Sequence, residues 1–197
     1  MPDYPAAVQR VIDVAARKGV ELRIVSHEVS THTAAAAAEA VGAEVGQIVK
    51  SLVFVSDGNE GPQGCVALVS GANTVDLALL AAVLTESRLR RATADEAREL
   101  TGFPIGGIPP FGHRSPLRTV MDPDLGRYET VWAAAGTPSS VFEVAPATLR
   151  MLANATVAPL AQQPAGGQPR DARQPEAGPA GTVAGPAGTV ARAPLEA

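Results

Sequence analysis

Two features of the sequence carry residue types that could do chemistry. The first is a loop at residues 102–113, with four glycines and three prolines among apolar side chains. A disordered linker would be polar, so this composition predicts an ordered loop. Proline fixes φ and lacks an N–H, while glycine permits positive φ and the close approach of another backbone or a ligand. Such a loop can present amide donors to a carbonyl or a phosphate. A tight structural connection between two elements is the alternative.

The second feature is Lys50, a lysine in the apolar segment 47–55. A period of two places Ile48, Lys50 and Leu52 on one face of a strand and Ser51 on the other. Both faces are largely apolar, which predicts a central strand covered on both sides. Lysine is rarely buried without a partner, and burial lowers its pKa. Lys50 is therefore either a lysine that reaches solvent at a sheet end or a cation directed into a pocket.

A third group of polar residues precedes an alanine-rich segment that predicts a helix over residues 33–41. Thr31 or Thr33 can cap this helix, and its first N–H groups, together with His32, could also bind an anion or an ester. The histidines at 27, 32 and 113 are spread along the chain and form no metal-ligand pair. The sequence contains no Walker loop, dinucleotide fingerprint or nucleophile elbow.

The elements that must position these residues alternate between helices and strands. Further helices are predicted before Gly19 and over residues 77–84, 94–101 and 146–153, and strands at 22–26, 47–55, 65–69, 88–92, 119–122, 130–135 and 141–144. Residues 57–64 predict a loop joining the strands at 47–55 and 65–69 as a hairpin, and the last two strands predict a second hairpin. Hairpins together with strands separated by helices predict a mixed sheet in an α/β or α+β fold.

The composition predicts one domain, residues 1–158, followed by a disordered tail, residues 159–197. The tail holds 7 Pro, 6 Gly and 10 Ala, and residues 178–184 repeat unchanged as 185–191. A net charge of −4 argues against a non-specific nucleic-acid binder, although a partner gripped at one end is allowed. The single Cys65 excludes an internal disulfide and a cysteine-based metal site. Without a secretion signal or a spanning segment, we expect a soluble, cytoplasmic protein.

The order of these features resembles the YbaK/ProX family of aminoacyl-tRNA editing domains, related to the insertion domain of bacterial prolyl-tRNA synthetase. The resemblance covers roughly residues 5–157. Its elements are the alanine-rich helix, the strand with Lys50, residues 75–77, the Thr-Gly-Phe at 101–103, the loop at 106–112 and the strand at 119–122. It implies a single domain with a mixed, strongly curved sheet flanked by helices. The implied activity is hydrolysis of the ester between a wrong amino acid and the terminal adenosine of a tRNA, without a cofactor or metal.

The resemblance also implies roles for individual residues. Lys50 matches the family's strand lysine, and the family's loop matches Gly106, Gly107, Ile108, Pro109 and Pro110. These are the implied catalytic residues, with the loop amides holding the ester and Lys50 supplying positive charge. No side chain is an evident base or nucleophile. The resemblance implies a substrate-assisted reaction, in which a hydroxyl of the terminal ribose helps to orient or activate the attacking water. The implied substrate-binding residues are His27, Thr31, His32, Thr33, Ala134, Gly136 and Val141.

Specificity is expected to differ from that of the cysteine-removing branch of the family. That branch carries polar side chains where this chain has His27, Ala134 and Val141. Alanine, serine or threonine is therefore the expected amino acid, and Thr31, His32 and Thr33 could bind a substrate hydroxyl. The partner would be the acceptor end of an aminoacyl-tRNA, gripped by arginines at 88, 90, 91, 114 and 118, and a synthetase could be a further partner. The alternatives are a non-catalytic module that docks on a tRNA or a synthetase, and a small-molecule-binding protein whose loop holds a phosphate.

Overall fold

The computed structural model describes residues 4–27, 33–58 and 61–162. The helices in these ranges are α1 (Ala6–Arg17), α2 (Ala34–Val41), α3 (Leu77–Leu84), α4 (Ala94–Thr101) and α5 (Pro146–Ala153). The strands are β1 (Ile24–Ser26), β2 (Ile48–Gly58), β3 (Gly61–Ser70), β4 (Leu89–Arg91), β5 (Arg118–Met121), β6 (Val131–Ala134), β7 (Ser140–Val144) and β8 (Thr156–Val157). None of these helices has the length and apolar character needed to cross a bilayer.

The eight strands form one open, mixed sheet, as the sequence predicts. Their order is β1-β7-β6-β2-β3-β5-β8, and β4 pairs with β2 outside this path. The pairs β2–β6, β3–β5 and β5–β8 are parallel, whereas β2–β3, β6–β7, β1–β7 and β2–β4 are antiparallel. Both predicted hairpins are present. Strand β2 is thus the centre of the sheet, with neighbours on both edges.

The two faces of β2 belong to two different hydrophobic cores, which confirms the prediction of a strand covered on both sides. Val49 and Val53 pack in the larger core with residues of α1, α4 and α5. Phe54 packs on the opposite face in the smaller core, with residues of α3 and β5. Cys65 is buried in this smaller core, where burial raises the pKa of its thiol to about 11. A thiol of this kind is a packing residue and not a nucleophile.

The ends of the helices follow their sequence signals. Thr33 caps α2 by accepting a hydrogen bond from the N–H of Ala36 at 3.1 Å. Thr93 and Glu96 form a capping box at the start of α4, and Gly102 ends that helix with φ of 77°. The loop at 102–113 therefore starts at a well-defined helix end.

Two segments differ from their predicted limits. The β2–β3 hairpin continues through Gly58 and Gly61, so most of the predicted loop at residues 57–64 is paired strand. At the other end of the chain, residues 159–162 pack on the fold, although the sequence places them in the tail. Leu160 is fully buried, and the backbone N–H groups of Leu160 and Ala161 both donate to the carboxylate of Asp122, at 2.7 and 2.8 Å. The rest of the predicted tail, residues 163–197, lies outside the described residues.

Candidate active site

A gap in strand pairing lies along one edge of β2. On this edge β6 pairs with Ile48 and Val49, and β4 pairs with residues 54–56. Neither pairing includes residues 50–53. The carbonyl of Val53 points to this edge, because it accepts a hydrogen bond from the N–H of Ala92 at 3.0 Å. Backbone groups alternate along a strand, so the N–H and C=O of Ser51 also point into the gap.

A cavity of about 260 Å³ opens at this gap, between α2, β6, β7 and the loop at 102–113. Six of the predicted site residues line it: Lys50, Gly106, Ile108, Thr33, Ala134 and Val141. Gly107, Pro109 and Pro110 are buried behind this surface, and neither they nor His27 and Gly136 line the cavity. Thr31 and His32 lie outside the described residues. Lys50 and part of the glycine-rich loop therefore face the same space.

Lys50 is fixed by backbone carbonyls at the cavity. Its ammonium group donates to the carbonyl of Gly71 at 3.1 Å and to the carbonyl of Asn73. The turn that carries these carbonyls is itself tied to β2, since the N–H of Gly71 donates to the carbonyl of Ile48 at 2.6 Å. Burial, and then the nearby charge of Arg91, lower the pKa of Lys50. One of the three N–H bonds of the ammonium has no acceptor among the described residues.

Contacts within the glycine-rich loop fix its conformation. The N–H of Gly107 donates to the carbonyl of Pro104 at 3.0 Å, so this amide is already satisfied. A ring nitrogen of His113 lies 2.8 Å from the carbonyl of Pro109, and the His113 ring packs edge-on against Phe103. Burial lowers the pKa of His113. Among the loop residues that line the cavity, the N–H groups of Ile105, Gly106 and Ile108 have no acceptor within the described part of the chain, so these amides remain available to a ligand.

Glycine is required at 107 for packing. A Cβ added there would lie 2.7 Å from the backbone of Thr137, in the turn between β6 and β7. Gly136, in the same turn, has a φ of 105°, and its Cβ would lie 2.8 Å from the carbonyl oxygen of Ala7. Both residues therefore allow close packing of backbone segments behind the cavity wall. The close approach that the glycines permit is, at these two positions, an approach of backbone to backbone.

Comparison with known proteins assigns this fold and cavity to a family. The family model for the aminoacyl-tRNA editing domain matches residues 28–152, which include Lys50 and the whole glycine-rich loop. The chain belongs to this family. As an aminoacyl-tRNA editing domain, it is a hydrolase that acts on mischarged tRNA.

Three relatives of this editing domain illustrate the range of the family. The chain is 34% identical over 129 residues to the Multifunctional Ser/Thr-tRNA deacylase ProXp-y of Escherichia coli (strain K12), covering 65% of this chain and 77% of the relative. It is 30% identical over 122 residues to EbsC of Enterococcus faecalis, a candidate Cys-tRNA(Pro)/Cys-tRNA(Cys) deacylase, covering 62% of this chain and 73% of EbsC. The crystal structure of a candidate trans-editing enzyme for prolyl-tRNA synthetase superposes with a TM-score of 0.75 at 46% identity, covering 82% of this chain and all of that one.

Three polar or aromatic residues of the editing domain, Ser51, Trp132 and Arg91, line the cavity without having been predicted as catalytic or substrate-binding residues. Ser51 has a buried hydroxyl with no hydrogen-bond partner among the described residues. Trp132 forms part of the wall on β6, and Arg91 is an exposed cation at β4. The strand pattern places Ser51 on an apolar face, and no local signal marks its hydroxyl. Trp132 could be assigned to the cavity only with the pairing of β2 and β6.

The arginines that were predicted to bind the tRNA differ in their contacts. Arg90 forms an ion pair with Glu96 at 2.7 Å, and Arg118 forms one with Glu86 and also donates to the carbonyl of Leu84 at 2.8 Å. Arg91, in contrast, lines the cavity together with Lys50. No group of acidic, cysteine or histidine residues in the described ranges could hold a metal ion. Among the described residues that line the cavity, the charged ones are Lys50 and Arg91.

Proposed function

We propose that this chain is a trans-acting deacylase that hydrolyses the ester of a small amino acid, alanine, serine or threonine rather than cysteine, on a mischarged tRNA. One observation carries the proposal: Lys50 and the loop residues Gly106 and Ile108 line the same cavity, where a fixed cation and unsatisfied backbone amides are available together. A docking module would have no need for this combination. We infer a cytoplasmic enzyme that binds the acceptor end of the tRNA.

The geometry supports electrostatic stabilisation of the reacting ester. Water adds to the ester carbonyl carbon, the carbonyl oxygen becomes an oxyanion, and the bond to the ribose oxygen then breaks with a proton delivered to that oxygen. The amides of Gly106 and Ile108 and the remaining N–H of Lys50 are donors suited to the oxyanion or to the terminal phosphate. Because these donors are fixed by the fold, they need little reorganisation during the reaction.

No side chain in the described lining of the cavity is an evident general base at neutral pH. Its described lining contains no aspartate, glutamate, histidine or cysteine. This composition supports a substrate-assisted reaction, in which a hydroxyl of the terminal ribose orients the attacking water. The contribution of the protein is then to exclude bulk solvent and to hold the ester against its donors.

The walls of the cavity support a small amino acid. Ala134 and Val141 line it where the sequence comparison predicted a departure from cysteine-specific relatives. The unpartnered hydroxyl of Ser51 and the cap residue Thr33 are the polar groups available to a substrate hydroxyl. A buried hydroxyl without a partner favours a ligand that completes its hydrogen bond. The similarity to a Ser/Thr-tRNA deacylase agrees with this preference.

The test is deacylation of tRNAs charged with alanine, serine, threonine or cysteine, by the wild-type protein and two matched variants. Lys50→Met removes the cation of the cavity. Lys18→Met removes the other lysine of the chain, whose amine donates to carbonyls of α5 at 2.8 and 3.1 Å. We expect Lys50→Met to lower the rate about 100-fold or more and Lys18→Met to retain it. Binding of the charged tRNAs without release of any amino acid would instead support the docking module.

A further inference from the structure

Trp132 presents an aromatic surface to the cavity beside Lys50. It is partly buried and alternates along β6 with Val131 and Ala133, which are buried in the larger core. Its partner on β2 is Ile48. Ile48 and Lys50 share one face of β2, so Trp132 lies along that face about 6–7 Å from the level of Lys50.

The indole is the only large planar group in the described lining of the cavity. The neighbouring walls on α2 and β6 are made of small side chains, including Ala34, Ala37 and Ala134. Small side chains on one side and a planar aromatic ring on another leave room for a flat ligand. A nucleobase is such a ligand, and stacking on an aromatic side chain is available to every base.

We propose that Trp132 stacks on the base of the terminal adenosine of the tRNA. This inference rests on the proposed function, which places the ester next to Lys50 and the loop amides. The ribose separates the ester from the base, so the base must bind one step away from Lys50. Trp132 occupies such a position on the same face of the sheet, and it thereby orients the nucleotide and not the amino acid.

The surroundings of Trp132 hold its strand in place. Its partner on β7 is Glu143, whose carboxylate accepts a hydrogen bond from the hydroxyl of Thr130 at 2.7 Å. The carbonyl of Thr130 accepts in turn from the side-chain amide of Gln47 at 3.1 Å. These bonds join the start of β6 to β7 and to the turn before β2. A fixed aromatic surface loses little conformational entropy when a base stacks on it.

The experiment uses the intrinsic fluorescence of the full chain, in which Trp132 is the single tryptophan. The probes are two RNA microhelices that carry serine on the 3′ nucleotide through a non-hydrolysable amide. One ends in adenosine, and the other is identical but lacks the terminal base. We expect the adenosine probe to quench the fluorescence in a saturable way, and the abasic probe to bind roughly 5- to 100-fold more weakly.

Two variants separate stacking from a structural role of the side chain. Trp132→Phe keeps an aromatic ring and should retain the preference for the adenosine probe, whereas Trp132→Leu should lose that preference in a competition assay. Equal binding of the two probes to the wild-type protein would overturn the assignment of Trp132 alone and leave the deacylase proposal standing. Failure of both probes to bind, together with absence of deacylation, would overturn the proposed function and this inference with it.

Discussion

The ammonium group of Lys50 donates a hydrogen bond to the backbone carbonyl of Gly71, across 3.1 Å, at the edge of the cavity. A cation held by neutral carbonyls keeps its full charge for a ligand, whereas one held by a carboxylate would be largely neutralised. The carbonyls also fix the position of the amine without a titrating partner. Lys50 therefore combines a fixed position with an unneutralised charge.

The pH dependence of deacylation should report the charge of Lys50. Burial and Arg91 lower the pKa of Lys50 from the ordinary value of 10.5, so the ammonium is lost at a lower pH than in a free lysine. If the reaction needs this charge, kcat/KM should fall on the alkaline side through that lowered pKa. Single-turnover rates, corrected for spontaneous ester hydrolysis, would measure it. In Lys50→Arg the alkaline fall should move to higher pH, and an unmoved profile would exclude Lys50 as its source.

Asn73 should act as a positioning residue for Lys50. Its carbonyl accepts from the Lys50 amine, and its side-chain amide donates to the carboxylate of Asp124 at 2.9 Å. Asn73→Ala removes the second bond and releases the turn, so we expect a several-fold lower kcat with little change in KM. Stability should fall by about 1–2 kcal/mol in urea unfolding. Loss of stability with an unchanged kcat and an unchanged alkaline limb would limit Asn73 to a structural role.

Gly107→Ala should disrupt the loop, because the new Cβ would lie 2.7 Å from the backbone of Thr137. Overpacking of this kind costs roughly 1–3 kcal/mol, and the loop must shift to relieve it. Gly126→Ala is the matched control, since nothing lies within 4 Å of its added Cβ. Urea unfolding and deacylation rates would compare the two. Equal behaviour of the two variants would show that Gly107 is replaceable.

Truncation should separate the packed end of the chain from the residues beyond it. A chain ending at residue 158 loses buried Leu160 and the two backbone donors to Asp122. Loss of a buried leucine costs about 2–5 kcal/mol, and Asp122 would be left buried with fewer partners. A chain ending at residue 162 retains all of these contacts and should keep wild-type stability and activity. Thermal unfolding of both truncations would test this, and equal melting temperatures would contradict it.

The sequence predicts most of the architecture, because local signals specify it. The period-two pattern of β2, the Thr33 cap and the Thr93–Glu96 capping box are each contained in a few neighbouring residues. The sequence predicts that β2 and β3 end several residues before their turn, because glycine and proline normally interrupt strands. The glycine and proline at 61 and 62 are nevertheless paired. The packing of residues 159–162 could not be predicted, because it depends on Asp122, distant in sequence.

The cavity could be predicted only in part, for a related physical reason. Lys50 and the loop can be recognised from the local composition, and six of the predicted site residues do line the cavity. The Gly107 amide, however, is used within the loop, which composition alone does not reveal. Trp132 enters the cavity because β6 pairs with β2, and Ser51 lies in it because that pairing stops at Val49. The two strands are about 80 residues apart in the chain, and register over that distance is not a local property.

The short gap in pairing along β2 has a consequence for solubility. An edge strand with free backbone groups invites another chain to add to the sheet and can seed aggregation. Here β6 and β4 cover both ends of the gap, so an incoming strand from another molecule has too few residues on which to dock. The gap can thus expose main-chain groups of the central strand to a small ligand without offering a strand-length edge to another chain.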